Sequence, residues 1–195
     1  MLRSFRGNSA NNTITLNDIT AAKEVFLSNG GTDTLVIDTL GIGTAPVTVY
    51  DFQAGNGAGG DIVSICFNVI FGSLLHVTGP AGNIANSGAL NVAQINNVDV
   101  FDDAAFQVIG GFTDSTVKAA INAGLGTTTI SYYSDRYHYF GLDNGSDTAL
   151  YRMLLTDVGG IPGEFDDVND IFSLQQVLVL VGVGDVSLLD TSNFS

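Results

Sequence analysis

The side chains with the greatest capacity for chemistry in this sequence are aspartates and asparagines at glycine-containing turns. Carboxylate and amide oxygens are the ligands that Ca²⁺ prefers, and a calcium site takes about six to eight oxygens. Three acidic turns meet this requirement. Their predicted metal ligands are Asp51 and Asp61 around FQAGNGAGG, Asp143, Asn144 and Asp147 in DNGSD, and Asp166 and Asp170 in EFDDVND. Aspartate and asparagine are also common turn formers, so a purely structural role is the alternative.

Catalytic groups do not form a recognisable pattern. His76 and His138 lie in separate segments and make no HExxH motif, and neither GxSxG nor a phosphate-binding glycine loop followed by lysine occurs. Cys66 is the single cysteine and lies in the apolar run IVSICFNVIF, which favours a buried small hydrophobe. We therefore predict that the protein is not an enzyme.

Aromatic residues cluster in YYSDRYHYF, residues 132 to 140, where four tyrosines accompany His138. Such a cluster is found in haem-binding and carbohydrate-binding surfaces. Cross-strand aromatic packing in a sheet explains the same residues without a ligand. A secreted ligand-binding module is accordingly the alternative function.

The charge of the chain excludes several partners. Twenty acidic residues against six basic ones give a formal net charge of -14 over 195 residues. Nucleic acids and anionic membrane surfaces both require a basic surface, so neither is an expected partner. The apolar runs are too short or too interrupted to span a bilayer, and no membrane insertion is expected. Divalent cations would relieve the self-repulsion of this surface.

The pattern of apolar residues predicts a mainly β fold. Residues 30–65 alternate β-branched residues with glycine and aspartate corners, which is typical of strands and turns. Further strands are predicted over TITL at 13–16, about the turn Asp143–Asp147, and over 171–180 and 186–189. Helices are predicted over 19–27 and over TVKAAINAG after Asp114. The expected architecture is a β-sandwich or solenoid-like stack of sheets with one or two short helices.

The first twelve residues read as a flexible arm, followed by a single β-rich domain over 13–195 with a potential subdivision near 112–131. Glycine, asparagine and serine dominate the arm, which also carries Arg3, Phe5 and Arg6. A basic arm on an acidic protein can cross to a neighbouring copy or add a strand to its sheet. These three residues are therefore predicted to mediate assembly.

Two segments resemble a known group of proteins. GTDTLVID at 31–38 and VTVYDFQAGNGAGGDIVSI at 47–65 resemble the pattern GxDTLxx…VxxFxxGxGxDxxxL of RTX-like, β-strand-repeat bacterial surface proteins, which are exported by type I secretion. Residues 137–195, with the DNGSD turn and the ending TSNFS, are similar to the C-terminal module of that group. The resemblance implies calcium binding, an uncleaved C-terminal secretion signal and a location outside the cell or on its surface.

These observations together predict an extracellular structural protein. We expect it to self-associate into a surface layer, sheath or filament, stabilised by calcium. The scarcity of lysine, with two in the whole chain, removes the residue that most often guards exposed strand edges. The alternative is a secreted ligand-binding module, either a carbohydrate-binding adhesin domain or a haem carrier.

Overall fold

The computed structural model of the protein describes residues 3–17, 20–28, 30–38, 45–55, 59–66, 75–77, 98–101, 107–125, 130–131, 137–155, 164–165, 171–189 and 193–194. These residues are mainly β, as the sequence predicts. The strands are β1 (Arg3–Arg6), β2 (Thr13–Leu16), β3 (Lys23–Phe26), β4 (Thr34–Asp38), β5 (Val47–Tyr50), β6 (Ile62–Cys66), β7 (Leu75–Val77), β8 (Val98–Phe101), β9 (Ile130–Ser131), β10 (Tyr137–Asp143), β11 (Asp147–Leu155), β12 (Glu164–Phe165) and β13 (Ile171–Val181), and the helix is α1 (Asp114–Leu125).

The first six strands wind into a solenoid of two stacked parallel sheets. Strands β1, β3 and β5 pair in parallel in one sheet, and β2, β4 and β6 pair in parallel in the other. Each coil of the chain therefore contributes one strand to each sheet. The strands predicted within residues 30–65 are confirmed as β4, β5 and β6.

A regular alternation of side chains builds the core between these sheets. Strands β3 and β5 both alternate buried with half-buried residues. Val25 and Val49 from one sheet join Leu35 and Ile37 from the other in a single apolar cluster, and all four are fully buried. A period of two is the repeat of a strand with one face on a core, which is why these residues form sheets.

The C-terminal part of the chain extends the first sheet of the solenoid. Strand β13 pairs with β5 in parallel, and β11 and β10 follow as antiparallel neighbours. Strands β8 and β7 then add in parallel, which gives the order β1-β3-β5-β13-β11-β10-β8-β7. The predicted hairpin about Asp143–Asp147 and the predicted strand over 171–180 are confirmed. Strands β9 and β12 pair separately.

Helix α1 confirms the helix predicted for TVKAAINAG. Its start is fixed by Thr113, whose hydroxyl accepts a hydrogen bond from the N–H of Thr116 at 3.3 Å. The hydroxyl of Thr116 in turn accepts from the N–H of Thr113 at 3.0 Å. Asp114, which the sequence places just before the helix, instead lies in its first turn, where its charge suits the positive end of the helix dipole. No helix in the described ranges is long and apolar enough to cross a membrane.

The helix predicted over residues 19–27 is wrong, because its second half is strand β3. Val25 and Leu27 are fully buried while Glu24 and Phe26 are half-buried, which is the period of a strand. Strand β3 pairs with β1 on one side and β5 on the other. Backbone pairing on both sides outweighs the local helical preference of AAKE.

The strand predicted over residues 186–189 is also wrong. Residues Val186–Leu188 form one turn of 3-10 helix. The carboxylate of Asp185 caps this turn by accepting from the N–H of Ser187 at 2.9 Å, and the N–H of Leu189 donates to the carbonyl of Val186 at 3.1 Å. Since an aspartate that bonds the backbone two residues on competes with extended structure, the chain turns here.

Part of the predicted flexible arm is a sheet strand. Residues Arg3–Arg6 form β1, with Phe5 opposite Val25, and Phe5 packs against the core. The following turn is held by Asn12, whose Oδ1 accepts from the N–H of Asn8 at 2.7 Å. The prediction of a flexible arm is therefore corrected for residues 3–12, because they pair and hydrogen-bond with the solenoid. The domain boundaries 1–12 and 13–195 stay a prediction.

Several predictions fall outside the described residues. They concern the aromatic positions 132–136, Asp166 and Asp170 of the EFDDVND turn, and the side chain of Cys66.

Candidate functional site

Three Asx residues stack along one corner of the solenoid. Asn12, Asp33 and Asp61, which we call the Asx ladder, each directly precede a strand of the three-stranded sheet. The N–H of Thr34 donates to the carbonyl of Asn12, and the N–H of Ile62 donates to the carbonyl of Asp33, both at 2.8 Å. The parallel register therefore brings the three side chains to one position of successive coils.

The side chains of the ladder hold one coil to the next. The N–H of Asn12 donates to Oδ1 of Asp33 at 2.7 Å, and the N–H of Asp33 donates to Oδ1 of Asp61 at 2.8 Å. Oδ2 of Asp61 accepts from the N–H of Gln53, also at 2.8 Å. The Nδ2 of Asn193 donates to the carbonyl of Asp61 at 2.8 Å. The ladder thus supplies acceptors to backbone donors at corners where the sheet pairing stops.

Both carboxylates of the ladder are buried. Asp33 is 0% exposed and Asp61 is 1% exposed. Burial raises the pKa of the Asp61 carboxyl above its ordinary value of 3.8, the hydrogen bonds from Gln53 and Asp33 act in the opposite direction, and the charge of Asp33 raises it further. Two neighbouring buried carboxylates are an uncommon arrangement that requires compensation.

Asp33 is the less satisfied of the two. Its Oδ1 accepts from Asn12, but its Oδ2 is buried and has no hydrogen-bond partner among the described residues. An acceptor of this kind suits a hard cation such as Ca²⁺, because a cation compensates both the charge and the vacant lone pairs. In the described part of the chain, no three His, Cys, Asp or Glu side chains group closely enough to hold a metal. Calcium here would therefore take further oxygens from backbone carbonyls, as calcium sites commonly do.

Asp51 does not join the ladder through any described contact. It is exposed and follows β5 with φ of 62°. Asp61, its predicted partner across the loop FQAGNGAGG, is buried instead. The two predicted ligands of this loop therefore differ in environment. Asp51 is exposed, whereas Asp61 is buried and accepts a hydrogen bond from the N–H of Asp33.

The DNGSD turn is a compact node of hydrogen bonds. Oδ1 of Asp143 accepts from the N–H of Gly145 at 2.9 Å and from Nε2 of Gln107 at 3.1 Å. Oδ1 of Asn144 accepts from the N–H groups of Ser146 and Asp147 at 3.0 and 2.9 Å. These bonds are the normal use of Asx side chains in turns.

The same node ties the hairpin to the C-terminal segment. Oδ2 of Asp143 accepts from the N–H of Val186 at 3.3 Å, and Oδ1 of Asp147 accepts from the N–H of Gly182 at 2.8 Å. The structure therefore brings Asp143, Asn144 and Asp147 together, but with their oxygens directed at backbone and amide donors. Calcium binding at this turn stays a prediction. Asp166 and Asp170 lie outside the described residues.

The predicted assembly residues lie on β1, at one edge of the large sheet. Arg3 and Arg6 are exposed. The guanidinium of Arg6 lies 4.2 Å from the centroid of the Phe26 ring, which stacks on Tyr50 at 4.5 Å. Arg6, Phe26 and Tyr50 are register partners on successive strands. Their stack fixes the outward face of β1 through cation–π and aromatic contacts.

Sequence reasoning missed Asp33 and Asn12 as parts of a site. The available signal is positional: an Asx residue stands immediately before TITL, before TLVI and before IVSI, the three strands of one sheet. Because the spacing between these motifs varies, the repeat becomes evident only once the strands are paired.

No family model matches this chain, and neither a curated protein nor a solved structure matches it.

Proposed function

We propose that the protein is an extracellular structural subunit, related to the RTX-like surface proteins, that assembles head to tail through its large sheet with calcium as a stabiliser. The observation that carries this proposal is the direction of the two edge strands. Strand β11 runs antiparallel to both β13 and β10, while all other neighbours in this sheet are parallel. The edge strands β1 and β7 therefore point the same way.

Because the two edge strands run in the same direction, copies of the protein can join edge to edge in the same orientation. If β1 of one copy pairs with β7 of the next, the result is a continuous parallel sheet. Such a contact is heterologous, since different surfaces meet, and it produces open filaments or rings. Exposed edges carry unpaired N–H and C=O groups that template this addition.

The described strands at the two ends of the large sheet carry charges of opposite sign. Residues 1–17 contain Arg3 and Arg6 and no acidic residue. Strand β8, the neighbour of β7, carries Asp99, and neither β7 nor β8 contains lysine or arginine. Opposite charges favour the head-to-tail approach over contact between two like edges. This sign difference is what selects a second copy as the partner of β1.

The Asx ladder is the proposed calcium site. A cation at the buried Oδ2 of Asp33 would offset the two carboxylate charges of Asp33 and Asp61. It would stabilise the coils that present β1. Bound calcium would also reduce the net charge of -14, which opposes association of identical copies.

The test is negative-stain electron microscopy and light scattering of the purified protein in millimolar calcium and in chelator. We expect filaments, sheets or rings in calcium, and Arg3→Glu to reduce assembly at least tenfold. Lys118→Glu is the matched control, because it makes the same change of net charge on α1, away from β1. Dispersed monomers at high concentration with calcium would refute assembly. An equal loss of assembly in Arg3→Glu and Lys118→Glu would refute the role of the β1 edge.

A further inference from the structure

A cavity of about 580 Å³ opens where the start of α1 approaches strands β11 and β13. Its polar wall contains Asp114, Tyr151, Arg152, Gln175 and Gln176. Its apolar wall contains Pro46, Phe112 and Leu174. The volume falls in the range of roughly 300–1,000 Å³ that small-molecule sites occupy. The cavity is separate from the Asx ladder and from the β1 edge.

A β-bulge shapes the floor of this cavity. The pairing of β11 with β13 shifts between Leu150, which faces Leu178, and Tyr151, which faces Gln176. Val177 is the extra residue, and it is buried. Bulges redirect side chains and are frequent beside functional sites. Here the bulge allows Tyr151 and Gln176 to line the same opening.

Hydrogen bonds between side chains hold the floor, in which Tyr151 is only 1% exposed. Nε2 of Gln176 donates to the hydroxyl of Tyr151 at 3.1 Å, so the hydroxyl hydrogen remains available as a donor. The Tyr151 hydroxyl is protonated at neutral pH, as an ordinary tyrosine is, and burial raises its pKa further. Stacking on Phe140, with ring centroids 5.6 Å apart, holds the Tyr151 ring in place. Arg152 donates to the side chain of Gln175, which orients both groups at the rim.

The lining defines the chemistry of the ligand. Arg152 and Asp114 contribute one charge of each sign, so the cavity wall has no net charge in its described residues. Because these two charges cancel, the wall favours neither an anion nor a cation, and the overall charge of -14 further disfavours approach by anions. Amides, a hydroxyl and a guanidinium suit a ligand rich in hydroxyl groups. Phe112 and Leu174 suit the C–H face of a sugar ring.

We propose that this cavity binds a neutral saccharide unit. The protein would then recognise glycan as well as assemble, and the two activities use different surfaces. Tyr151 donates its hydroxyl hydrogen to a sugar oxygen, and the side-chain oxygen Oε1 of Gln176 accepts from a sugar hydroxyl. Phe112 packs on the ring. The proposal does not depend on the head-to-tail assembly or on calcium.

The test is saturation-transfer NMR with glucose, galactose, mannose and N-acetylglucosamine, and with glycerol as the nonspecific control. We expect saturable transfer to at least one sugar and none to glycerol. Tyr151→Phe and Gln176→Leu should each weaken binding at least tenfold, since a buried polar partner is lost in each. Tyr50→Phe, which removes a hydroxyl from the same sheet outside the cavity, should leave the dissociation constant unchanged.

Tyr151→Phe keeps the ring and its packing, so it remains informative if Gln176→Leu fails to fold, which circular dichroism would reveal. Transfer to none of the four sugars by folded wild-type protein would overturn the proposal. So would binding that is unchanged in Tyr151→Phe, because the sugar would then lie elsewhere. Loss of binding in Tyr50→Phe as well would contradict the assignment to this cavity.

Discussion

The N–H of Asp33 donates a 2.8 Å hydrogen bond to Oδ1 of Asp61, which joins one coil of the solenoid to the next. The two carboxylates nevertheless differ in how they are satisfied. Both oxygens of Asp61 accept from backbone donors, whereas Oδ2 of Asp33 is buried and meets no donor in the described part of the chain. Asp61 is thus a structural acceptor, and Asp33 is the residue whose charge requires compensation.

Asp61→Asn should destabilise the protein by about 1–3 kcal/mol in chelator. The amide nitrogen would replace one of the two carboxylate oxygens, which accept from the N–H groups of Asp33 and Gln53, and that N–H group would lose its acceptor. Urea unfolding followed by circular dichroism measures this change. A variant as stable as wild type would contradict the role of Asp61 as a double acceptor.

Asp33→Asn should have the opposite effect in chelator. The amide oxygen can still accept from Asn12, while the buried charge is removed, so we expect a gain of about 1 kcal/mol. The wild type should gain stability on adding calcium and Asp33→Asn should not. A calcium-dependent rise in Tm that is equal in both proteins would place the ion away from Asp33.

Acidification should stabilise the wild type relative to Asp61→Asn. Because the pKa of Asp61 is raised in the folded state, the native protein holds this proton more tightly than the unfolded chain. The resulting contribution is fully present below the ordinary value of 3.8 and is lost as the pH rises through the folded pKa. The free energy of unfolding of the wild type minus that of Asp61→Asn should therefore grow as the pH falls towards 3.8. A difference that shrinks would reverse the sign of the proposed shift.

The strands were predictable where the local pattern agrees with the final pairing. TITL and the hairpin about DNGSD carry both the strand pattern and the turn chemistry in a few adjacent residues. Strand β3 was not predictable in this way, because AAKE favours a helix and its pairing partners β1 and β5 lie on either side in sequence. Non-local pairing decides such segments.

The site was predictable only in part for a related reason. The sequence marks Asp61 and DNGSD as acidic turns, but the partner of Asp61 is Asp33, which sits in a different turn. The distance between Asn12, Asp33 and Asp61 along the chain is irregular, so their stacking depends on how the loops between strands close. Burial of Oδ2 of Asp33 arises from that closure and has no local signature.

Gly31→Ala should weaken the solenoid strongly. Gly31 has φ of +87°, and an added Cβ would lie 2.7 Å from the backbone carbon of Ala10 in the preceding coil. The left-handed backbone alone costs about 1–3 kcal/mol for a residue with a side chain, and the clash adds to it. We expect a loss of at least about 2 kcal/mol in urea unfolding. Gly55→Ala is the control, since nothing lies within 4 Å of its Cβ position.

Asp143→Ala tests whether the DNGSD turn works through hydrogen bonds or through an ion. The carboxylate accepts from Gly145, Gln107 and Val186, so its loss should lower stability by about 1–3 kcal/mol even in chelator. Asp185 is exposed and caps the 3-10 turn Val186–Leu188. Asp185→Ala removes this cap and should lower the free energy of unfolding by about 1 kcal/mol.

Thermal unfolding with and without calcium separates the two roles of Asp143. If the turn is held by its hydrogen bonds, Asp143→Ala lowers Tm equally in both conditions and keeps the increment that calcium gives the wild type. If Asp143→Ala abolishes that increment while Asp33→Asn retains it, the ion binds at DNGSD, and the ladder is a purely structural element. The first outcome is expected, because the oxygens of Asp143 already accept from three donors, whereas Oδ2 of Asp33 accepts from none of the residues that the structure describes.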